Sequence, residues 1–183
     1  ALTVYGFSTE NWNRDAREVS LLFELCVYFA RNELIELRRN NVRVRVIGEW
    51  ESLPPAPRGA LAGLQSETAG NTGLVLNLAV NYSSHAELER AVRAIASDVA
   101  AGKISPESID EALISEYLYT AKMPELDLLI RPGGEHRLSN FLLYQAAYAE
   151  LVMVDVYWPE FSKEDLIRAL IVFQQRERRF GGT

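Results

Sequence analysis

Five short apolar runs, each followed by a segment with helical spacing, limit the folds open to this chain more than any other feature. The runs are Leu2 to Phe7, Val42 to Gly48, Leu74 to Asn81, Leu126 to Arg131 and Val152 to Val156. Most lack apolar–polar alternation, as do strands of a parallel sheet covered on both faces. The exception is "VRVRVIG", whose first half alternates with arginine and so suits a sheet edge or a strand passing close to solvent. Between the runs, Arg17 to Arg39 repeats Val19, Leu22, Phe23, Cys26, Phe29, Ala30, Leu34 and Leu37 at helical spacing. Further helices are expected over Arg58–Ala69, from a cap at Ser83 or Ser84 to Ala101, over Glu107–Tyr119, over Ser139–Leu151 and after a cap at Ser162. This alternation predicts an α/β fold: a single domain over residues 1–183, with a central, mostly parallel sheet flanked by helices.

Composition narrows the function classes. With 183 residues and 48% hydrophobic content the chain can bury a full core, and 24% charged residues argue against disorder. The net charge of −6 has the wrong sign for non-specific nucleic-acid binding, so no nucleic-acid partner is expected, and any bound anion needs a local cluster of arginines. Cys26 is the one cysteine, which excludes an intrachain disulfide and a thiolate metal centre and suits a small buried hydrophobe in a reducing compartment. No stretch of about 18 residues is free of charge, so no transmembrane helix is expected, and no signal peptide is recognisable.

In open α/β sheets ligands bind at the carboxyl ends of the strands. Three such ends are polar here: "FSTENWNR", "LAVNYSSH" and "LLIRPGGEHRLSN". In the last, Gly133 and Gly134 allow a tight turn and close approach. Arg131 and Arg137 offer planar forks that match phosphate oxygens, and Ser139 stands at an expected helix start, where free N–H groups favour an anion. Together they predict a diphosphate cradle; for either arginine alone, pairing with Glu135 or a nearby carboxylate is the simpler account. In the first, Ser8, Thr9, Asn11 and Asn13 suit turns and caps and Trp12 suits packing, so a binding role and a structural one are evenly matched.

"FSTENWNR", "NTGLVLNLAVNY", "LLIRPGGEHRLSNFLLYQAAYAEL", "WPEF" and "RERRFGG" follow one another in an order and spacing that closely resemble the cis-prenyltransferases, the undecaprenyl diphosphate synthase family of bacteria. The resemblance covers essentially the whole chain. It implies a magnesium-dependent transferase that adds isopentenyl diphosphate to an allylic diphosphate, usually farnesyl diphosphate, with cis double bonds. It also implies a homodimer with a hydrophobic product tunnel, located in the cytoplasm with peripheral membrane contact. Carried over, Arg131, Arg137, Leu138 and Ser139 match positions that hold isopentenyl diphosphate, and Glu150 matches a magnesium ligand. A carboxylate in so apolar a stretch needs a partner, for which an arginine competes with the metal. Asn11 matches a residue assigned to proton removal; a neutral amide is a poor base, which makes it a positioning group or relay working with His136. Ser8, Thr9, Glu10, Trp12 and Arg14 match a substrate-proximal loop, with Glu18 organising Arg14. The wide apolar face of Arg17 to Arg39, which adds Leu21, Leu25, Val27 and Tyr28, could line the tunnel, pack in the core or meet a second copy.

The chain departs from the family pattern in three places. The family carries a strand and an Asp-, Gly-, Asn- and Arg-rich loop, about thirty residues or more, that would precede Ala1. That loop holds the aspartate that binds magnesium at the allylic diphosphate. Pro132 stands where threonine is common and removes a backbone donor. "NYSSH" replaces a Gly-Gly-Arg pattern. Two alternatives follow: a non-catalytic partner subunit, or a relative that makes short products or joins two allylic units.

Overall fold

The computed structural model describes residues 1–176. Of the basic run singled out above, only Arg176 falls within them, and Glu177 to Gly182 lie outside the described residues. The chain divides into two compact units, Ala1–Met123 and Pro124–Thr183.

The first unit holds a three-stranded parallel sheet in the order β1-β3-β2, from β1 (Leu2–Ser8), β2 (Arg43–Ile47) and β3 (Val75–Tyr82). Its helices are α1 (Ala16–Asn32), α2 (Leu34–Arg39), α3 (Pro55–Thr68), α4 (Ser84–Ala100) and α5 (Glu111–Tyr117). β2 is an edge strand, and its first half alternates across the pleat: Val44 and Val46 enter the core, Arg43 is exposed and Arg45 is half-buried. Its outer N–H groups are not left open. Val44 N donates to Thr68 Oγ1 at 3.0 Å and Val46 N to Gln65 Oε1 at 2.8 Å, so α3 side chains close that edge. The core gathers Phe7, Val19, Phe23, Val46, Leu53, Leu61 and Val80, continued by Ala30, Val44 and Leu64.

The expected long helix Arg17–Arg39 is two helices. It breaks at Glu33, whose N–H still donates to Phe29 O, so the chain pivots without losing that backbone bond. The expected helix Glu107–Tyr119 is likewise shortened to a 3-10 turn at Pro106–Ser108 and α5, because Asp110 is the residue that caps it, accepting from Leu113 N at 2.8 Å.

The second unit pairs β4 (Leu128–Pro132) with β5 (Glu150–Val154) in parallel and adds α6 (Lys163–Gln174), which packs on β5. The helix expected over Ser139–Leu151 is absent. Ser139, Asn140 and Leu142 have φ of 49°, 61° and 47°, a backbone that cannot continue a right-handed helix, and only a 3-10 turn at Gln145–Tyr148 remains. Tertiary pairing overrode the helical pattern: Glu150 and Leu151 are drawn into β5 opposite Leu128 and Leu129, and Leu142 is anchored by burial, 2% exposed.

Candidate active site

In the first unit the end of β1 turns at once into a 3-10 helix, Thr9–Asn13. Asn11 closes that turn, its Oδ1 accepting from Ser8 N at 2.9 Å. Thr9 Oγ1 donates to Glu10 Oε2 at 3.2 Å, and the Arg14 guanidinium pairs with Glu18 across one helical turn, both half-exposed. Trp12 packs one side on the core and stays 44% exposed: its ring meets Phe7 and Phe23, each at 5.4 Å between centroids, and its Nε1 donates to Asn81 Oδ1 at 2.8 Å. Tyr5, just beneath, has its phenol pushed up to about 12, by burial first and then by the charge of Glu10.

Beside this loop lies an apolar cleft of about 450 Å³, within the range of small-molecule pockets, lined among others by Phe23, Cys26, Phe29, Leu61, Leu64 and Leu78. The wide face of α1 therefore divides. Val19, Phe23 and Ala30 are buried, Leu22, Cys26 and Phe29 border the cleft, and Leu21 and Tyr28 stand exposed. Burial pushes the Cys26 thiol pKa up.

In the second unit the loop after β4 carries the expected arginines. Arg131 Nη1 donates to Ser139 Oγ at 2.9 Å, so those two candidate phosphate donors converge. Arg137 pairs with Glu135, the simpler account foreseen for it, with its side chain 63% exposed. His136 is exposed and Leu138 half-buried, its carbonyl accepting from Phe141 N. Gly133 and Gly134 have φ of 98° and 67° and give their N–H groups to Val156 O and Val154 O, so the tight turn is there but those two donors face the chain itself. The helix dipole expected at Ser139 is absent with the helix.

Glu150 begins β5, opposite Leu128, while Arg131 is opposite Met153. Three residues at the usual rise separate them by roughly 10 Å along the sheet. The Glu150 carboxylate accepts from Arg176 Nη1 at 2.7 Å, and the same nitrogen donates to Leu151 O at 2.9 Å. Among the described residues no group of three or more His, Cys, Asp or Glu side chains could hold a metal ion. Glu150 nonetheless fits magnesium in its donor chemistry. This ion is commonly held by one or two carboxylates with substrate phosphates and water completing the shell. Asn11 and His136 stand on different units.

Sequence reasoning passed over Asn81. The polar end of β3 was noticed, but an asparagine closing an apolar strand gives no sign by itself of what it bonds. The Glu49 backbone, Arg90 and Arg93 were also missed. With Thr9, Trp12 and Asn81 they border a second, polar cavity of about 550 Å³.

A family described as "Putative undecaprenyl diphosphate synthase" matches residues 1–181. The chain belongs to the undecaprenyl diphosphate synthase family of prenyltransferases. This prenyltransferase is 51% identical over 182 residues to an isoprenyl transferase of Heliobacterium mobile, covering 100% of the chain and 70% of that relative. It is 47% identical over 183 residues to the ditrans,polycis-undecaprenyl-diphosphate synthase ((2E,6E)-farnesyl-diphosphate specific) of Escherichia coli K12, covering 72% of that relative. Among solved structures, lavandulyl diphosphate synthase from Lavandula x intermedia in complex with dimethylallyl diphosphate matches with a TM-score of 0.95 at 35% identity, over 98% of this chain and 78% of that one. A probable undecaprenyl diphosphate synthase from Campylobacter jejuni matches at 0.84 and 34%, over 98% and 82%. Isoprenyl chain transfer is thus the activity of the family to which this enzyme belongs.

Proposed function

We propose that the protein condenses isopentenyl diphosphate with an allylic prenyl diphosphate, farnesyl diphosphate, to give a longer cis-polyprenyl diphosphate, undecaprenyl diphosphate. The observation that carries the reading is the 47% identity, along the entire chain, with the farnesyl-diphosphate-specific synthase of Escherichia coli. In this reading Arg131, Arg137, Leu138 and Ser139 hold the isopentenyl diphosphate. The guanidinium of Arg137 exchanges Glu135 for a phosphate, and its exposure leaves it room to do so. Ser8, Thr9, Glu10, Trp12 and Arg14 border the reacting ends, and the apolar cleft takes the prenyl chain.

The double bond of isopentenyl diphosphate attacks the allylic carbon as its diphosphate leaves. Asn11 and His136 then orient the departing proton toward a diphosphate oxygen, which accepts it. Magnesium, when bound, neutralises charge on the diphosphate; Glu150 is the residue of this chain that would hold it, in place of Arg176. An apolar stripe on α6, with Ile167 44%, Leu170 43% and Ile171 47% exposed, supports a homodimer. The lipid nature of the product supports peripheral membrane contact of an otherwise cytoplasmic enzyme. Among the described residues no helix is long and apolar enough to cross a membrane.

A second reading, the joining of two allylic units or the making of short products, is favoured by the TM-score of 0.95 with lavandulyl diphosphate synthase. Radiolabelled isopentenyl diphosphate separates them. Magnesium- and farnesyl-dependent incorporation into long products is expected, with the KM for isopentenyl diphosphate raised about tenfold or more in Arg137→Ala. Label found only in short products, or left unincorporated while dimethylallyl diphosphate alone is consumed, would favour the second reading, and wild-type kinetics in Arg137→Ala would remove the second-unit loop from the site.

A further inference from the structure

Three connections leave the carboxyl ends of the first sheet: Ser8–Arg14 after β1, Gly48–Ser52 after β2, and the turn from β3 into α4. One side chain joins all three. Asn81 Oδ1 accepts from Trp12 Nε1 at 2.8 Å, and Asn81 Nδ2 donates to Glu49 O at 3.1 Å and to Ser52 Oγ at 3.0 Å. Its backbone carbonyl also accepts from Glu49 N at 3.0 Å. The amide therefore meets donors on one side and acceptors on the other, in a site where the residue is only 7% exposed. The network is part-buried, with Asn81 as its buried centre and Trp12, Glu49 and Ser52 reaching it from the surface, and hydrogen bonds converging on one buried amide hold its partners in one arrangement.

Two backbone features are given over to this arrangement. Asn81 has φ of 49°, a left-handed conformation that asparagine tolerates better than most residues, and it turns the amide out of the strand. Gly48 has φ of 104°, and a Cβ there would stand 2.4 Å from Val80 O and 3.1 Å from Asn81 O, so only glycine lets the two loops approach. Trp12 is in turn held from the other side by Phe7 and Phe23. Removing the bond to Asn81 leaves the indole packed but free to tilt, with its N–H toward the polar cavity it shares with Thr9, Arg90 and Arg93.

We infer that Asn81 is a positioning residue for prenyl transfer: it sets the orientation of Trp12 and, through it, the Ser8–Arg14 loop against the substrates. The inference rests on the proposed role of that loop. Its partner in function is Trp12, and its effect falls on the reacting geometry more than on substrate capture, because the Arg131 and Arg137 donors lie on another part of the chain. A small displacement of a positioned group lowers turnover steeply.

The test uses four variants of the intact enzyme. Asn81→Gly keeps the left-handed backbone and deletes the amide, and Asn81→Asp keeps the acceptor for the Trp12 indole. Trp12→Phe removes the same hydrogen bond from the other partner, and the fourth variant combines Asn81→Gly with Trp12→Phe. Expected are a kcat lowered about tenfold in Asn81→Gly and in Trp12→Phe, with KM for isopentenyl diphosphate within about threefold of wild type. The double variant should be no slower than either single one. Asn81→Asp should keep most of the kcat even though its thermal midpoint falls. A wild-type kcat in Asn81→Gly overturns the inference, as does a kcat that follows the thermal midpoint across all four. Should Asn81→Gly not fold, Trp12→Phe and Asn81→Asp decide alone. Asn11→Ala and Arg14→Ala serve as controls: if both keep wild-type kinetics, the loop itself is outside the site, and the proposed function of the loop fails together with this inference. If they are impaired while Asn81→Gly is not, the inference alone fails.

Discussion

Gly48 shows how a single backbone position governs the site end of the first sheet. Its φ of 104° and the 2.4 Å approach of a would-be Cβ to Val80 O make any side chain both strained and clashing. Gly48→Ala is expected to destabilise by about 2–4 kcal/mol, seen as a thermal midpoint lowered by roughly 5–12 °C. An unchanged midpoint would mean that the two loops part at little cost. In the second unit the same conformational region is occupied by Ser139, Asn140 and Leu142 as well as by Gly133 and Gly134. The glycines advertised a turn, whereas nothing in "SNFLL" did, because a left-handed leucine is held by its burial, a tertiary fact.

At the scale of the element, α6 starts with a reciprocal cap. Ser162 Oγ accepts from Asp165 N, while Asp165 Oδ2 accepts from Ser162 N at 2.9 Å and from Ser162 Oγ at 2.5 Å. The hydroxyl of Ser162 first, and its backbone N–H next, hold the Asp165 carboxyl below its usual range. A carboxylate whose pKa is depressed on folding adds stability above its unfolded value, near 4, and that stability is lost as pH falls through the folded value. Ser162→Ala should therefore lower the thermal midpoint at neutral pH by the equivalent of about 1 kcal/mol. The gap to wild type should narrow as pH drops below about 4. A gap independent of pH would show that Asp165 is not the partner through which Ser162 acts. This cap was legible in the sequence, since its four residues are adjacent. The break of the first long helix at Glu33 was not, because the apolar spacing of Arg17 to Arg39 runs through it unchanged.

At the scale of the molecule, the first unit uses one face of its sheet twice, for the core and for the apolar cleft. Cys26 reports on the second use. It borders the cleft, and burial lifts its thiol pKa, so little reactive thiolate is present at neutral pH. Alkylation of this one cysteine by a neutral reagent is expected to be slow at pH 7 and to quicken above the ordinary thiol range. Saturating farnesyl diphosphate should slow it further. Labelling indifferent to farnesyl diphosphate would place the prenyl chain elsewhere. With a net charge of −6, an anion needs a local cluster of arginines and not a general surface field, and the proposed cluster is the one after β4.

The amino-acid sequence by itself determined the α/β class, the parallel pairing, the family and which strand ends carry polar groups. Those properties follow from local periodicity and from motifs whose residues are contiguous. Tertiary structure decided the rest. It placed the strands in two sheets and converted the expected Ser139–Leu151 helix into an irregular loop feeding β5. It also gave Glu150 to Arg176 and brought Asn81 to Trp12 across 69 positions of sequence. The physical reason is common to all four. Each depends on which distant group satisfies a hydrogen-bonding or charged atom once water is removed, and a sequence lists such atoms without pairing them.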